Sequence, residues 1–129
     1  MKKKILLIDD DSTYIYILKQ LLKKHDEVGE IVTAESGSEA LGILKSDFEM
    51  CQMPVVIISD IEMPVMNGIL FLRELESLKL VDHRITKIVL NSNNSRYDDM
   101  DWSVESPDIV YFQKPLNFKK ILLILSDQH

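Results

Sequence analysis

Carboxylates, one lysine and one hydroxyl are the side chains of this sequence that could carry chemistry together. Asp9, Asp10 and Asp11 follow one short apolar run, and Asp60 follows another. Carboxylates held close together repel one another and cannot all ionise cheaply, but a divalent cation relieves that repulsion. Hard oxygen ligands with several water sites favour Mg²⁺, with Mn²⁺ as the alternative. The acidic residues therefore predict a metal site.

Ser92 and Lys114 each follow a further apolar run, and they extend the chemistry that such a metal site could perform. A metal beside a carboxylate suits phosphoryl transfer, because it offsets charge on the transferring oxygens. A lysine ammonium and a hydroxyl would complete a cage around a phosphoryl group. We therefore expect a metal-assisted phosphoryl site in which an aspartate accepts the group.

Five short apolar runs are expected to be β-strands, at about residues 4–8, 30–34, 55–59, 87–91 and 108–113. The third run is continuously apolar and rich in β-branched residues, which is typical of a strand buried on both faces. Four of the strands end on the polar residues described above. In an open α/β sheet, ligands bind outside the carboxyl ends of the strands, so these residues can converge on one edge.

Helices are expected between the strands, and two of them have clear N-terminal signals. Ser12 and Thr13 can supply the capping oxygens of the first helix. Ser36 and Glu39 have the spacing of a capping box for a short second helix. Residues 46–53 are polar and are expected to form an irregular connection to the third strand.

Three further helices complete the pattern. The third begins at Gly68, a marginal fourth covers residues 96–106, and the last covers residues 118–126 with Leu122 on its inward face. The fourth is rich in poor helix formers, and Trp102 lies off its apolar stripe, which leaves the burial of that side chain open. Five strands that alternate with five helices predict an α/β fold with a parallel sheet, helices on both faces and right-handed crossovers.

Size and composition bound the function. The chain has 129 residues, which suits one domain, and we expect residues 1–129 to be that domain, with no output domain after the last helix. A net charge of −6 argues against nucleic-acid binding through a basic face. Cys51 is the single cysteine, so no internal disulfide can form. No apolar run approaches the ~20 residues of a membrane span, and we expect a cytoplasmic protein.

Five separated motifs of this sequence resemble those of the receiver domain of two-component response regulators. In chain order they are Asp9-Asp10, Ser59-Asp60-Ile61-Glu62-Met63-Pro64, Asn67-Gly68, Ser92 and Lys114-Pro115. The resemblance spans essentially the whole chain. It implies the flavodoxin-like (CheY-like) three-layer fold, with strand order 2-1-3-4-5 and five helices. It also implies a phosphoacceptor signalling domain that is not an enzyme beyond catalysing its own phosphorylation and slow dephosphorylation.

The resemblance assigns roles at the metal site. Asp60 matches the phosphoacceptor of the family. Asp10 matches the carboxylate that binds Mg²⁺ directly, and Asp9 matches the one that acts through water. Glu62 would give the metal its backbone carbonyl.

The resemblance also assigns roles around the phosphoryl group. Ser92 matches the hydroxyl that contacts it, and Lys114 matches the lysine that pairs with it. Pro115 would follow that lysine with a cis peptide bond. Tyr111 matches the aromatic residue that reorients on activation.

Partners follow from the same resemblance. A histidine kinase or a histidine phosphotransfer protein would donate the phosphoryl group, and a downstream protein would bind the face formed by the fourth helix, the fifth strand and the fifth helix. No nucleic-acid or membrane partner is expected. The sequence departs from the family pattern at Asn91, Asn93 and Glu62, and these polar residues bear on the rates of phosphorylation and dephosphorylation.

Two alternative functions remain open at this point. Haloacid-dehalogenase-like phosphatases carry Asp-x-Asp-x-Thr after their first strand, and in that assignment Asp9 would be the nucleophile and Asp11 the general acid. That alternative leaves Asp60 and the Met-Pro-x-x-Asn-Gly loop unexplained. The other alternative is a receiver that accepts no phosphate and serves as a binding module, although the acceptor and its lysine are both intact.

Overall fold

Five strands and four α-helices make up the described part of the chain, which is residues 2–102 and 109–126 of a computed structural model. The strands are β1 (Lys3–Ile8), β2 (Val28–Ala34), β3 (Val56–Asp60), β4 (Lys87–Ser92) and β5 (Ile109–Gln113). The helices are α1 (Ser12–Leu22), α2 (Gly37–Glu49), α3 (Gly68–Ser77) and α4 (Phe118–Leu125), and a 3₁₀ turn covers Ser95–Tyr97. Across these two ranges, every helix is too short or too polar to traverse a lipid bilayer.

All five strands lie parallel in one sheet with the order β2-β1-β3-β4-β5. Both β3 and β4 are buried along their whole length, as expected for continuous apolar runs in a parallel sheet. The register pairs Ile8 with Ser59 and Asp60 with Asn91. The carboxyl ends of the strands therefore meet at one edge of the sheet, which we call the site edge.

Helices cover both faces of the sheet and create two separate cores. Alternate side chains of a strand point to opposite faces, so Leu6 and Ile57 belong to one core, whereas Ile5 and Ile58 belong to the other. Residues of α2 and α3 complete the first core, and residues of α1 and α4 complete the second. The flavodoxin-like three-layer fold is confirmed, including its strand order.

Helix α1 begins with a different capping residue from the one predicted. Asp11 is the N-cap, because its Oδ1 accepts hydrogen bonds from the N–H groups of Thr13 and Tyr14 at 3.0 and 3.2 Å. Ser12 and Thr13 lie inside the first turn, so their assignment as caps is wrong. A carboxylate at this position satisfies two of the free N–H groups and also favours the positive end of the helix dipole.

Helix α2 begins as predicted and extends further. The Oγ of Ser36 accepts a hydrogen bond from the N–H of Glu39 at 3.1 Å. The helix then continues into the irregular connection predicted for residues 46–53, which is wrong in its first half. Asp47 in the last turn forms a 3.1 Å ion pair with Lys4 of β1. This contact joins residues far apart in the chain, so the local sequence pattern gave no sign of it.

The fourth helix predicted for residues 96–106 is absent from the part of that segment that the structure describes. A 3₁₀ turn begins there, and Asn94 caps it by accepting a hydrogen bond from the N–H of Arg96 at 3.1 Å. Residues 98–102 contain no α-helical turn, and residues 103–106 lie outside the described residues. The poor helix formers of the segment account for the difference.

Helix α4 presents a different face to the core from the one predicted. Leu122 is 47% exposed, whereas Ile124 is buried together with Ile121 and Leu125. The prediction that Leu122 points inward is therefore wrong. Apolar residues occupy consecutive positions here, and such a run does not determine which of them face the core.

Candidate functional site

Three carboxylates cluster at the site edge. Asp9 directly follows β1 and Asp60 ends β3, and the pairing of these two strands makes them neighbours. Carboxylate oxygens of Asp9, Asp10 and Asp60 lie within 4.8 Å of one another. Asp9 and Asp60 are buried, whereas Asp10 is exposed. The structure thus brings together the three side chains expected to hold a metal, and we call them the acidic cluster.

Lys114 reaches the acidic cluster from the loop that follows β5. Its Nζ lies 2.8 Å from Asp9 Oδ2 and 3.5 Å from Asp60 Oδ1. Its backbone N–H donates to the carbonyl oxygen of Ser92 at 2.8 Å. The peptide bond to Pro115 is cis, as the resemblance implied. One ammonium therefore faces two buried carboxylates, and the cluster as a whole keeps an excess of negative charge.

Burial and repulsion change the ionisation of Asp60. Its pKa rises from 3.8 to about 6, first because burial penalises the charged carboxylate and next because Asp9 lies close to it. The ammonium of Lys114 opposes the rise, as does the N–H of Glu62, which donates to Asp60 Oδ1 at 3.4 Å. The charge of Asp10 adds to it. Asp60 is therefore mostly ionised at neutral pH, in surroundings that disfavour its charge.

The donor set of the acidic cluster suits a divalent cation. All three residues offer carboxylate oxygens, which are the ligands that Mg²⁺ and Mn²⁺ prefer. A cation would also offset the charge that a single lysine leaves uncompensated. Because Asp10 is exposed, the cluster is open to solvent on one side, which agrees with the several waters that Mg²⁺ usually retains.

Ser92 lies at the end of β4, and its side chain is buried. Its Oγ accepts a hydrogen bond from the N–H of Asn94 at 3.0 Å, which closes the turn after the strand. In the strand register it follows Asn91, the partner of Asp60. The residue therefore lies at the site edge as expected, and the contact of its hydroxyl with a phosphoryl group stays a prediction.

Glu62 lies two residues beyond Asp60 and is exposed. Its carboxylate forms a 3.8 Å ion pair with Arg96, and both side chains are largely open to solvent. Exposed pairs of this kind contribute little to stability. The role of the Glu62 carbonyl as a metal ligand stays a prediction.

Tyr111 of β5 contacts the segment that follows β4. Its hydroxyl donates to Asp98 Oδ1 at 2.9 Å and lies 3.4 Å from the carbonyl oxygen of Ser92. Its ring stacks on that of Trp102, with centroids 5.6 Å apart. Trp102 is buried, with 8% of its surface exposed, which answers the question that the sequence left open. Reorientation of Tyr111 on activation stays a prediction.

Tyr14 belongs to the site, and the sequence analysis missed it. It lies in the first turn of α1, and its ring centroid is 4.4 Å from the Nζ of Lys114. Its hydroxyl donates to Asn91 Oδ1 at 2.6 Å. The pKa of Tyr14 rises to about 12, mainly because the hydroxyl is buried. The available signal was an aromatic residue near the start of the first helix, together with the amide of Asn91 at the end of the predicted fourth strand.

Asp11, the general acid of the dehalogenase-like alternative, has another role. Its Oδ1 accepts the two hydrogen bonds that cap α1. The acidic cluster found within residues 2–102 and 109–126 contains Asp60 in its place. The capping role of Asp11 therefore argues against its use as a general acid in the dehalogenase-like alternative.

This chain matches a different share of the length of each of three curated relatives. A protein-glutamate methylesterase/protein-glutamine glutaminase of Methanococcus maripaludis is 40% identical over 68 residues, which are 53% of this chain and 17% of that protein. Protein PilH of Pseudomonas aeruginosa is 25% identical over 92% of this chain and 91% of PilH. The transcriptional regulatory protein CpxR of Klebsiella pneumoniae is 30% identical over 92% of this chain and 46% of CpxR. The chain thus spans less than half of the methylesterase and of CpxR.

Solved structures agree with the fold over nearly the whole chain. The chemotaxis response regulator CheY4 of Vibrio cholerae has a TM-score of 0.75 and 25% identity, and the match covers 97% of both chains. A response regulator receiver domain protein of Clostridium thermocellum has a TM-score of 0.74 and 28% identity, over 95% of this chain and 90% of that one. The family model of the response regulator receiver domain matches residues 5–126, which include the whole candidate site. The chain therefore belongs to the response regulator receiver domain family.

Proposed function

We propose that this receiver domain accepts a phosphoryl group on Asp60, with Asp9 and Asp10 holding Mg²⁺ and with Ser92 and Lys114 contacting the phosphoryl oxygens. The observation that carries the proposal is the position of Asp60 within the acidic cluster, 3.5 Å from the ammonium of Lys114. Membership of the family supports a phosphoacceptor role in two-component signalling.

The proposed reaction moves a phosphoryl group from the imidazole nitrogen of a phosphohistidine to an oxygen of Asp60. A lone pair of the carboxylate forms the new P–O bond while the N–P bond breaks. The imidazole leaves with the electron pair of the N–P bond, and its nitrogen then binds a proton from solvent. The carboxylate attacks in its ionised form, which predominates above a pH of about 6 without metal and would be favoured further by a bound cation. Mg²⁺ in the acidic cluster would offset charge on the phosphoryl oxygens. Lys114 would form an ion pair with one of those oxygens.

The proposed partners are two classes of protein. A histidine kinase or a histidine phosphotransfer protein would donate the phosphoryl group, and a downstream protein would bind the phosphorylated form. We call residues 93–102 the switch segment. For the second contact we propose the surface made by β5, α4 and the switch segment. The contacts of Tyr111 with Asp98 and Trp102 support this choice, because they join β5 to that segment.

Acetyl phosphate with Mg²⁺ tests the assignment without a kinase. We expect base-labile phosphate on the parent protein and none on Asp60→Asn. Asp26→Asn is the matched control, because Asp26 is exposed in the loop before β2, at the opposite edge of the sheet. Phosphate mapped to Asp9 would instead support the phosphatase alternative, and a parent that takes up no phosphate would support a binding module.

A further inference from the structure

A chain of hydrogen bonds joins the first turn of α1 to the loop that carries Lys114. The N–H of Leu116 donates to the hydroxyl oxygen of Tyr14 at 3.3 Å. That hydroxyl donates to Asn91 Oδ1 at 2.6 Å, and Asn91 Nδ2 donates to the carbonyl oxygen of Phe112 at 2.6 Å. We call this arrangement the tyrosine–amide chain. Only 1% of the surface of Asn91 is exposed, so its amide is shielded from competing water.

The tyrosine–amide chain has a single consistent set of donors and acceptors. A carbonyl oxygen can only accept, so Phe112 requires the Nδ2 of Asn91 on its side and leaves Oδ1 for Tyr14. The hydroxyl of Tyr14 must then donate to that Oδ1, and its oxygen is left to accept from Leu116. With a pKa of about 12, Tyr14 keeps this proton at neutral pH.

The tyrosine–amide chain forms hydrogen bonds with the backbone on both sides of Lys114. Phe112 comes two residues before Lys114 and Leu116 comes two residues after it. The ring of Tyr14 adds a direct contact, because Nζ of Lys114 lies 4.4 Å from its centroid, within the range of a cation–π interaction. The same Nζ lies 2.8 Å from Asp9 Oδ2. Contacts from α1 and β4 thus hold the backbone around Lys114, and contacts from Tyr14 of α1 and from Asp9 after β1 hold its side chain.

We propose that Tyr14 and Asn91 are positioning residues for phosphoryl transfer, which keep the ammonium of Lys114 beside Asp60. The effect of these two residues on the rate of phosphorylation rests on the proposed function, whereas their effect on the position of Lys114 does not. Removal of the Tyr14 hydroxyl would leave Asn91 Oδ1 and the N–H of Leu116 without their partner, and a buried group without a partner favours a shift of the loop. The ammonium would then spend less time beside the acceptor.

Kinetics of phosphorylation by acetyl phosphate and Mg²⁺ test the consequence. Tyr14→Phe and Asn91→Leu should each slow Asp60 phosphorylation about tenfold, and the double variant should be no slower than the slower single variant, because both break one chain. In a Lys114→Ala background, Tyr14→Phe should change the rate less than about twofold. Tyr16→Phe, at an exposed position of α1, is the matched control. Equal effects of Tyr14→Phe with and without Lys114 would overturn the proposal.

Nuclear magnetic resonance without metal or phosphate separates this inference from the proposed function. In the parent, the ε-methylene protons of Lys114 should show contacts to the Tyr14 ring and an upfield ring-current shift. Tyr14→Phe keeps a ring but loses both hydrogen bonds, so we expect weaker contacts and a shift towards that of exposed lysines.

An unchanged Lys114 signal in a folded Tyr14→Phe variant would overturn the positioning role, whatever the phosphate assay gives. This variant decides the matter alone if Asn91→Leu does not fold. A parent that shows the expected Lys114 signals and their loss in Tyr14→Phe, but accepts no phosphate, would overturn the proposed function and leave the positioning of Lys114 supported.

Discussion

Neutralising Asp60 measures the electrostatic cost of the acidic cluster. Folding raises the pKa of this carboxyl from 3.8 to about 6, so the folded protein binds the proton more tightly than the unfolded chain does. The stability that this proton contributes is fully present below the unfolded value and is lost as the pH rises through about 6. One pKa unit corresponds to about 1.4 kcal/mol. Without metal, the ionised carboxylate therefore lowers the free energy of unfolding by about 3 kcal/mol at neutral pH.

Asp60→Asn keeps the shape of the side chain and removes its charge. We expect the free energy of unfolding to rise by about 2–3 kcal/mol in urea titrations at pH 7.5 with EDTA. Lys114 keeps its 2.8 Å contact with Asp9 in this variant, so loss of its 3.5 Å ion pair with Asp60 lowers the free energy of unfolding only slightly.

The pH dependence of that gain is the decisive measurement. At pH 4.5 the parent carboxyl is largely protonated when folded, so about 2 kcal/mol of the gain should disappear. Asp26→Asn should change stability by less than about 0.5 kcal/mol at either pH, because its carboxylate is exposed and away from the cluster. A gain of equal size at both pH values, or no gain at pH 7.5, would refute the electrostatic reasoning.

Four further experiments test other features. Mg²⁺ should raise the melting temperature of the parent by mass action, and calorimetry should find most of that rise lost in Asp10→Asn; an equal rise would remove Asp10 from the ligand set. Val65 is fully exposed with a left-handed φ of 69°, so Val65→Gly should raise the free energy of unfolding by about 1 kcal/mol, and a decrease in urea titrations would contradict the strain. A Cβ on Gly68 would collide with the carbonyl oxygen of Asp60, so Gly68→Ala should lower stability by more than about 1 kcal/mol; an unchanged urea midpoint would argue against this tight approach. Beryllofluoride with Mg²⁺ should change Trp102 fluorescence in the parent and leave Asp60→Asn unchanged, and a silent parent would count against movement of the switch segment.

The acidic cluster could be predicted from the sequence because chain topology alone places it. An apolar run that ends on Asp60 predicts a central parallel strand, and the last residues of all parallel strands lie at the same edge of the sheet. The same rule places Asp9, Ser92 and Lys114 there. The strand order could not be predicted in this way, because the alternation of strands and helices allows several orders. The order 2-1-3-4-5 came from the family resemblance.

Features that depend on contacts between distant residues could not be predicted. The last turn of α2 is tied to β1 by Asp47 and Lys4, which lie far apart in the chain. Leu122 belongs to a continuous apolar run, and only packing decides which of its residues are exposed. Tyr14 escaped notice for a related reason, because its importance arises from the amide of Asn91 and the ammonium of Lys114, which reach it from other elements.

Ser92 connects the backbone of Lys114 to Tyr111 and the switch segment through three contacts. Its carbonyl oxygen accepts the N–H of Lys114 at 2.8 Å and lies 3.4 Å from the hydroxyl of Tyr111, while its Oγ accepts the N–H of Asn94 at 3.0 Å. A phosphoryl group on Asp60 that attracted the Ser92 hydroxyl would move its Oγ relative to the N–H of Asn94 and would disturb the surroundings of Tyr111. Because that tyrosine also stacks on Trp102, a small displacement at the site edge would favour a different packing of β5 against the switch segment. Under the proposed function, phosphorylation would then act by changing the populations of two packings, which a partner at the proposed surface would distinguish.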